Sequence, residues 1–217
     1  CRELREALAS YLARSRDMHV PPEGIIIGSG AEYLYGLNVQ VLGRDRVYGL
    51  ENPSYEKIRK VYEASQVEVE MLAMGKEGIE SKELARSRAS VLHVTPFNSF
   101  PSGITASASK REYIRWAEGR KGFIIEDDFD SEFTLLSKPE DTLFSLAPSG
   151  PVIYMNSFSK TIAPSIRVGY LVLPEPMISL YREKVGFYSC TVPVFDQLVL
   201  AEFIESGLFE RHINRVR

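Results

Sequence analysis

Short apolar, β-branched runs recur along this chain, each followed by a segment of helical spacing, and no other feature narrows the possible folds as far. Ile25 to Ile27 form the first such run, bounded by the glycines of Gly28-Ser29-Gly30, and AEYLYGLNVQVLG then takes up a helical period. The pattern continues with strand RVYGL, a helix from Pro53 through Ala64, strand VEVEML, helix SKELARSR and strand SVLHV. Helix SKREYIRWAEG follows, then strands GFIIED, PVIYMN and RVGYLVLP. Continuous apolar strands separated by helices predict an α/β fold: a three-layer αβα arrangement around a mostly parallel sheet, with ligands received at the carboxyl ends of the strands. Pro53 suits a first helical turn, and Ser109 with Glu112 reads as a capping box. The stretch 138 to 151 is the richest in loop residues, and after Pro174 two helical segments, around MISLYREKV and VFDQLVLAEFIESGLFERHINRV, follow with no further strand.

Composition removes several classes of function. With 26 Lys plus Arg against 29 Asp plus Glu, the net charge of -3 argues against a surface devoted to nucleic acid phosphates. Cys1 and Cys190 are the only thiols and His19, His93 and His212 are scattered, so neither a disulfide framework nor a metal site is expected, and a reducing cytoplasm is the natural compartment. The start, CRELREALASYLARSR, has the pattern of a charged amphipathic helix, and no apolar run is long enough for a membrane span. The absence of an initiator methionine and a final helix without a stop signal read as an excised piece of a longer protein.

Three segments carry candidate chemistry. Gly28-Ser29-Gly30, between a buried strand and a helix start, offers backbone N–H groups to a phosphate. The third glycine of a dinucleotide fingerprint is missing, because that position is Tyr33, although Glu51 lies where a ribose-binding acid is expected. The second segment, Glu126-Asp127-Asp128-Phe129-Asp130, delivers carboxylates able to bind a divalent cation, act as a base or pair with a ligand cation. Asp128, Asp130 and Glu132 are expected to form a solvated acidic loop. The third is Ser157-Phe158-Ser159-Lys160-Thr161 with Arg167 seven residues beyond the lysine. Phe158, Ile162 and Pro164 around Lys160 suggest a partly desolvated amine suited to nucleophilic attack on a carbonyl. A glycine turn, hydroxyls and an arginine for a phosphate, an aspartate for a ring cation and a lysine for an aldehyde together describe pyridoxal 5'-phosphate (PLP).

In their order along the chain, GSGAEYLYGL at 28, ENPSY at 51, VTPFNSFPSG at 94, IIEDDFDSEF at 124 and VIYMNSFSKTIAPSIRVGYLVLP at 152 carry a family likeness. The sequence resembles the large domain of fold-type I PLP-dependent aminotransferases, above all the aminotransferase-like domain of MocR-type regulators of the GntR family. The resemblance implies that Lys160 is the Schiff-base lysine and returns as general base, and that Asp127 pairs with the pyridine nitrogen. It implies that Gly30, Ala31 and Glu32 through their backbone, with Ser157, Ser159 and Arg167, surround the phosphate. It also implies that Tyr55 stacks on the ring and that Pro101-Ser102-Gly103 approaches its O3' side.

Two departures from the family pattern stand out. Phe129 occupies a position where the family usually has a tyrosine that hydrogen-bonds O3', and Phe100 stands where many members have asparagine, leaving Asn98 as the nearest polar substitute. Binding is therefore expected to survive better than turnover, with an altered pH dependence of the visible absorbance. By the same resemblance, residues 1–20 are a helix leading into the domain, 21–190 the PLP-binding large domain, and 191–217 helices leading towards a small domain that lies outside this chain. The expected function is to sense an amino acid or amine within a homodimeric regulator, DNA being contacted only through a separate N-terminal domain. A free-standing amino acid aminotransferase is the alternative. A nucleotide-binding or catalytically inactive α/β interaction domain is the alternative of a different class. Lys57 and Arg59 are expected to be exposed helix residues.

Overall fold

The structure is a computed structural model and describes residues 1–129, 131–133 and 140–216. Along the chain run α1 (Arg2–Arg16), β1 (Ile25–Gly28), α2 (Ala31–Leu42), β2 (Val47–Asn52), α3 (Glu56–Ala64), β3 (Glu68–Gly75) and β4 (Gly78–Ile79). Then come α4 (Ser81–Arg86), β5 (Val91–Val94), α5 (Lys110–Arg120), β6 (Phe123–Asp127), α6 (Leu143–Leu146), β7 (Val152–Ser157) and α7 (Phe158–Thr161). The chain closes with β8 (Gly169–Val172), α8 (Glu175–Val185), α9 (Val194–Glu205) and α10 (Leu208–Val216).

The strands form one sheet in the order β1-β8-β7-β6-β5-β2-β3-β4. Strands β3, β2, β5, β6 and β7 run parallel, while β8 is antiparallel to both β7 and β1. Strand β1 therefore points the same way as β7. The carboxyl ends of β1, β2, β5, β6 and β7 and the start of β8 all meet at one edge.

Alternating side chains divide two apolar layers between the faces. On β6 and β7, Ile124, Val152 and Tyr154 join Leu4, Leu8 and Leu12 of α1 and Leu200 of α9, whereas Ile125, Ile153 and Met155 join Leu34 of α2, Tyr62 of α3 and Met177 of α8. This is the expected αβα sandwich. Each fully buried leucine of α1 contributes roughly 1.5–3 kcal/mol of transfer free energy, which fastens the first helix to the sheet.

Several local expectations change. Helix α3 starts at Glu56, not Pro53, and the Asn52–Pro53 peptide is cis. Ser109 makes no side-chain cap; its Oγ donates to the Glu77 carbonyl, so the capping box does not form. Stretch 138 to 151 contains α6, started by the Thr142 side chain, which accepts from Ser145 N–H. The final helical segment breaks at Gly207, whose φ of 72° lies in the left-handed region, and α9 and α10 fold back on α1, with Phe209 edge-on to Tyr11 at 5.2 Å. Among the described residues no helix is long and apolar enough to cross a membrane, and no cluster of metal-binding side chains occurs.

Candidate cofactor site

The described residues expected to hold the cofactor lie on or beside the single edge where the strand ends meet. Gly30 follows β1, Tyr55 follows β2, Asn98 follows β5, Asp127 ends β6 with Phe129 just beyond, Ser157 ends β7 with Ser159 and Lys160 in α7, and Arg167 precedes β8. The sheet register explains part of this convergence: Ser157 stands opposite Gly169, and Gly169 opposite Gly28. The hydroxyl after β7 and the glycine turn after β1 are thus on the same row.

Asp127 is the most tightly positioned of these groups. It is buried on the face covered by α2 and α3, where its Oδ2 accepts from the Tyr35 hydroxyl at 2.7 Å and lies 3.3 Å from His93 Nε2. The Tyr62 hydroxyl lies 2.7 Å from His93 Nδ1. Burial, followed by neighbouring charge, pushes both phenols well above their ordinary range, so each stays a donor. With Tyr62 donating to Nδ1, the His93 proton belongs on Nε2 and points at Asp127. The sequence reading missed Tyr35, Tyr62 and His93. The available signal was a histidine inside the otherwise apolar strand VLHV, since a polar side chain in a buried strand must have a partner.

At the start of α2 two cationic side chains gather on the Glu32 carboxylate. Gly30 has φ 94°, and a Cβ there would come within 2.6 Å of the Arg167 guanidinium, so the arginine lies against a surface only glycine leaves open. Glu32 holds that guanidinium at 2.6 Å and the Lys57 ammonium at 3.0 Å. Desolvation raises the Glu32 carboxyl, but its own backbone N–H, Lys57 and Arg167 outweigh that and bring it down to about 2. Lys57 is exposed, as expected, and shares Glu32 with Arg167, while Arg59 pairs with Glu63 along its own helix. Ser29 N–H donates to the Thr191 hydroxyl, and the Ser159 hydroxyl donates to the Ile166 carbonyl at 3.3 Å, which shapes the turn leading to Arg167.

Lys160 is exposed. The expected desolvating cage is not built, because Phe158 turns into the core while Pro164 is exposed; the aromatic neighbour is Phe129, whose ring centroid lies 4.3 Å from Nζ. Tyr55 is also largely exposed and meets Phe100 edge-on at 6.0 Å, so these two rings form an aromatic rim. Asn98 is half-buried on the loop after β5.

Glu126, Asp128 and Glu132 are buried, not part of a solvated acidic loop. Glu126 is buried and accepts the first N–H groups of α6, Leu143 at 2.7 Å and Phe144 at 3.0 Å; burial raises its carboxyl to about 7 against those bonds. Asp128 is buried beside Arg16 and accepts from the Tyr154 hydroxyl, and buried Glu132 accepts from Asn156. Asp130 lies outside the described residues. Glu51 is buried too and is engaged within the protein: it accepts from the hydroxyls of Thr95 at 2.6 Å and Ser99 at 2.7 Å, clamping the loop that carries Asn98 and Phe100.

The profile of the aminotransferase class I and II family matches residues 1–212. The chain belongs to the class I and II aminotransferase family. Among relatives of this aminotransferase-like domain, the HTH-type transcriptional regulator YdeL of Bacillus subtilis is 37% identical over 99% of this chain and 47% of its own length. The pyridoxine biosynthesis regulator PdxR of Corynebacterium glutamicum is 30% identical over 99% and 47%, and the rhizopine catabolism regulatory protein MocR of Rhizobium meliloti 28% over 99% and 44%. The chain thus spans about half the length of these curated relatives. Among solved structures, α-aminoadipate aminotransferase LysN of Thermus thermophilus, complexed with N-(5'-phosphopyridoxyl)-L-leucine, superposes with TM-score 0.85 at 26% identity, covering 100% of this chain and 56% of that one. Kynurenine aminotransferase of Pyrococcus horikoshii gives 0.87 at 24%, covering 99% and 56%, and shows the same fold. The aminotransferase-like domain is homologous to the MocR-type regulators, and the family implies PLP.

Proposed function

We propose that this domain holds PLP at the carboxyl edge of its sheet and uses it to recognise an amino acid or amine, as the effector-sensing part of a MocR-type transcriptional regulator acting in the cytoplasm. The observation that carries the reading is the Asp127 carboxylate, fixed from below by Tyr35 and His93 on the edge that also bears Lys160 and the Gly30–Arg167 anion position.

The residues present fit the chemistry of this cofactor. Asp127 supplies the buried anion that a protonated ring nitrogen needs. The Gly30 turn, with the backbone at Ala31 and the start of α2, Ser157 and Arg167, suits a phosphate at a helix start. Lys160 supplies the amine that reaches an aldehyde, Tyr55 an aromatic wall and Asn98 a polar group near the ring oxygen. When bound, PLP acts as an electron sink towards the carbon bearing the amine. The protein's part is to orient the ring through Asp127, hold the phosphate and return a proton through the Lys160 amine.

The regulator reading is supported by relatives named as HTH-type regulators, of which this chain matches about half. DNA contact is assigned to a separate domain, in keeping with the charge of -3 here. The exposed side chains Phe195 and Val199 border the cleft that contains Ser29 and Arg167, which supports a homodimer closing over the phosphate side. A free-standing aminotransferase keeps the same site and differs in turnover; Phe129 and Phe100, without hydrogen-bonding groups, favour sensing.

Titration of the purified protein with PLP tests this reading. A saturable visible band is expected, absent from Lys160→Ala and from wild type given pyridoxine 5'-phosphate, which has no aldehyde. Absence of any band overturns it. On adding an amino acid together with a 2-oxo acid as amino acceptor, a regulator changes that band without repeated keto acid release; sustained release, with the amino group passed to the acceptor, selects the enzyme.

A further inference from the structure

Arg16 is the last residue of α1, and Asp17 beyond it ends the helix in the left-handed conformation. A terminal arginine usually reaches solvent, yet the Arg16 side chain is only 4% exposed. Its guanidinium lies 3.1 Å from Asp128 Oδ2 and 5.3 Å from the centre of the Phe97 ring. The Lys110 ammonium also faces that ring, at 4.3 Å.

These contacts place one side chain against both loops that bracket the candidate site. Asp128 follows Asp127 directly, and the backbone N–H of Asp128 donates to the Met155 carbonyl of β7, so its position and that of Asp127 are one geometric unit. Phe97 lies in the loop after β5 that also holds Asn98 and is clamped by Glu51. Helix α1 does not need a buried charge for docking, because Leu4, Leu8, Tyr11 and Leu12 already anchor it. Burying a guanidinium costs several kcal/mol before pairing, and an apolar residue of similar volume often serves stability as well. The charge instead makes the contact specific to where Asp128 and Phe97 stand.

We infer that Arg16 is a positioning residue which, through Asp128 and Phe97, couples the end of α1 to occupancy of the cofactor site. The inference rests on the PLP reading above. Because coupling free energy is reciprocal, to the extent that Arg16 holds the ends of β5 and β6 in the ligand-binding arrangement, a ligand bound there stabilises the helix end to the same degree.

Hydrogen exchange of the full chain with and without PLP tests this. In wild type, PLP is expected to slow exchange around Asp127–Phe129 and Ser157–Lys160, and to slow the end of α1, Tyr11–Arg16, by about fivefold. In Arg16→Met, PLP binds about fivefold more weakly; at saturating PLP the protection of the site persists and that of α1 disappears, while Arg16→Lys, which keeps the charge, restores part of both. A purely structural arginine leaves α1 exchange indifferent to PLP in every variant. Protection of the site without any at α1 in wild type overturns the inference while leaving the cofactor reading intact, and needs no variant that folds. Equal α1 protection in Arg16→Met also overturns it. No protection anywhere on adding PLP overturns the cofactor reading and this inference with it.

Discussion

The Tyr35 hydroxyl meets the Asp127 carboxylate at 2.7 Å beneath the carboxyl edge of the sheet, and His93 reaches the same oxygen from β5. Helix α2 thus contributes to the site twice, through the glycine turn at its start and through a buried phenol one turn further on. Charge-assisted hydrogen bonds of this type are worth about 1.5–3 kcal/mol, so Tyr35→Phe is expected to weaken PLP binding roughly tenfold or more. Tyr62→Phe, which acts only through His93, should have a smaller effect. Since burial keeps the Tyr35 phenol protonated far beyond neutrality, loss of its proton does not limit the bond to Asp127 between pH 6 and about 9. Affinities from PLP titration check this, and an unchanged affinity in Tyr35→Phe contradicts it.

Gly30→Ala tests the anion position separately. The new Cβ would meet the Arg167 guanidinium at 2.6 Å in a backbone conformation of φ 94° and ψ 174°, which side chains rarely adopt, so the arginine must move and the turn is strained by about 1–3 kcal/mol. PLP binding should fall markedly, whereas pyridoxal, which lacks the phosphate, should bind the variant about as well as the wild type. Equal losses for both ligands would mean that the turn supports the ring and not the phosphate.

Burial of Glu126 fixes the sign of a pH effect on stability. Its carboxyl is raised in the folded state to about 7 from an ordinary value of 4.5, so between these values the native state binds more protons than the unfolded chain. The associated stabilisation is full below pH about 4.5 and is lost as pH rises through about 7, with a span of about 1–3 kcal/mol. Buried Glu132 is raised in the same direction by desolvation and by Asp128. Denaturant unfolding followed across this range should show the decline, and Glu126→Gln should flatten it. A slope unaltered by Glu126→Gln assigns the effect elsewhere.

Glu51 is expected to matter for the loop after β5. Its carboxylate is the acceptor for Thr95 and Ser99 hydroxyls in a buried setting, and Glu51→Ala leaves both donors without it, at a cost of about 2–4 kcal/mol. Faster proteolysis within 95–101 and a lowered melting temperature are the expected readouts. Wild-type resistance there would show that the loop is held by other contacts.

The alternation of apolar strands and helices carried the sheet and its layers, because strand burial and helix period are written locally. The motifs that carry Asp127, Lys160, Gly30 and Arg167, far apart in sequence, end on one edge of that sheet. The partners of these groups were not legible. Tyr35, Tyr62 and His93 come from three elements and converge only when the register of β5 and β6 is set, and in sequence they look like members of an apolar face. The acids after β6 misled for the opposite reason: a run of carboxylates has the composition of a solvated loop, but strand alternation sends Asp127 to one face and Asp128 to the other, where Arg16, far away in sequence, awaits it. Lys160 was expected to be enclosed by its sequence neighbours, but a single helical turn directs Phe158 inward and leaves the amine exposed beside the Phe129 ring.

The central claim, that Lys160 is the residue joined to PLP on this sheet edge, is tested most directly by borohydride reduction of the PLP-treated chain followed by peptide mass mapping. The account predicts a single phosphopyridoxyl group on the peptide containing Lys160, lost in Lys160→Ala. A label distributed over surface lysines, or one retained at full yield in Lys160→Ala, would contradict it.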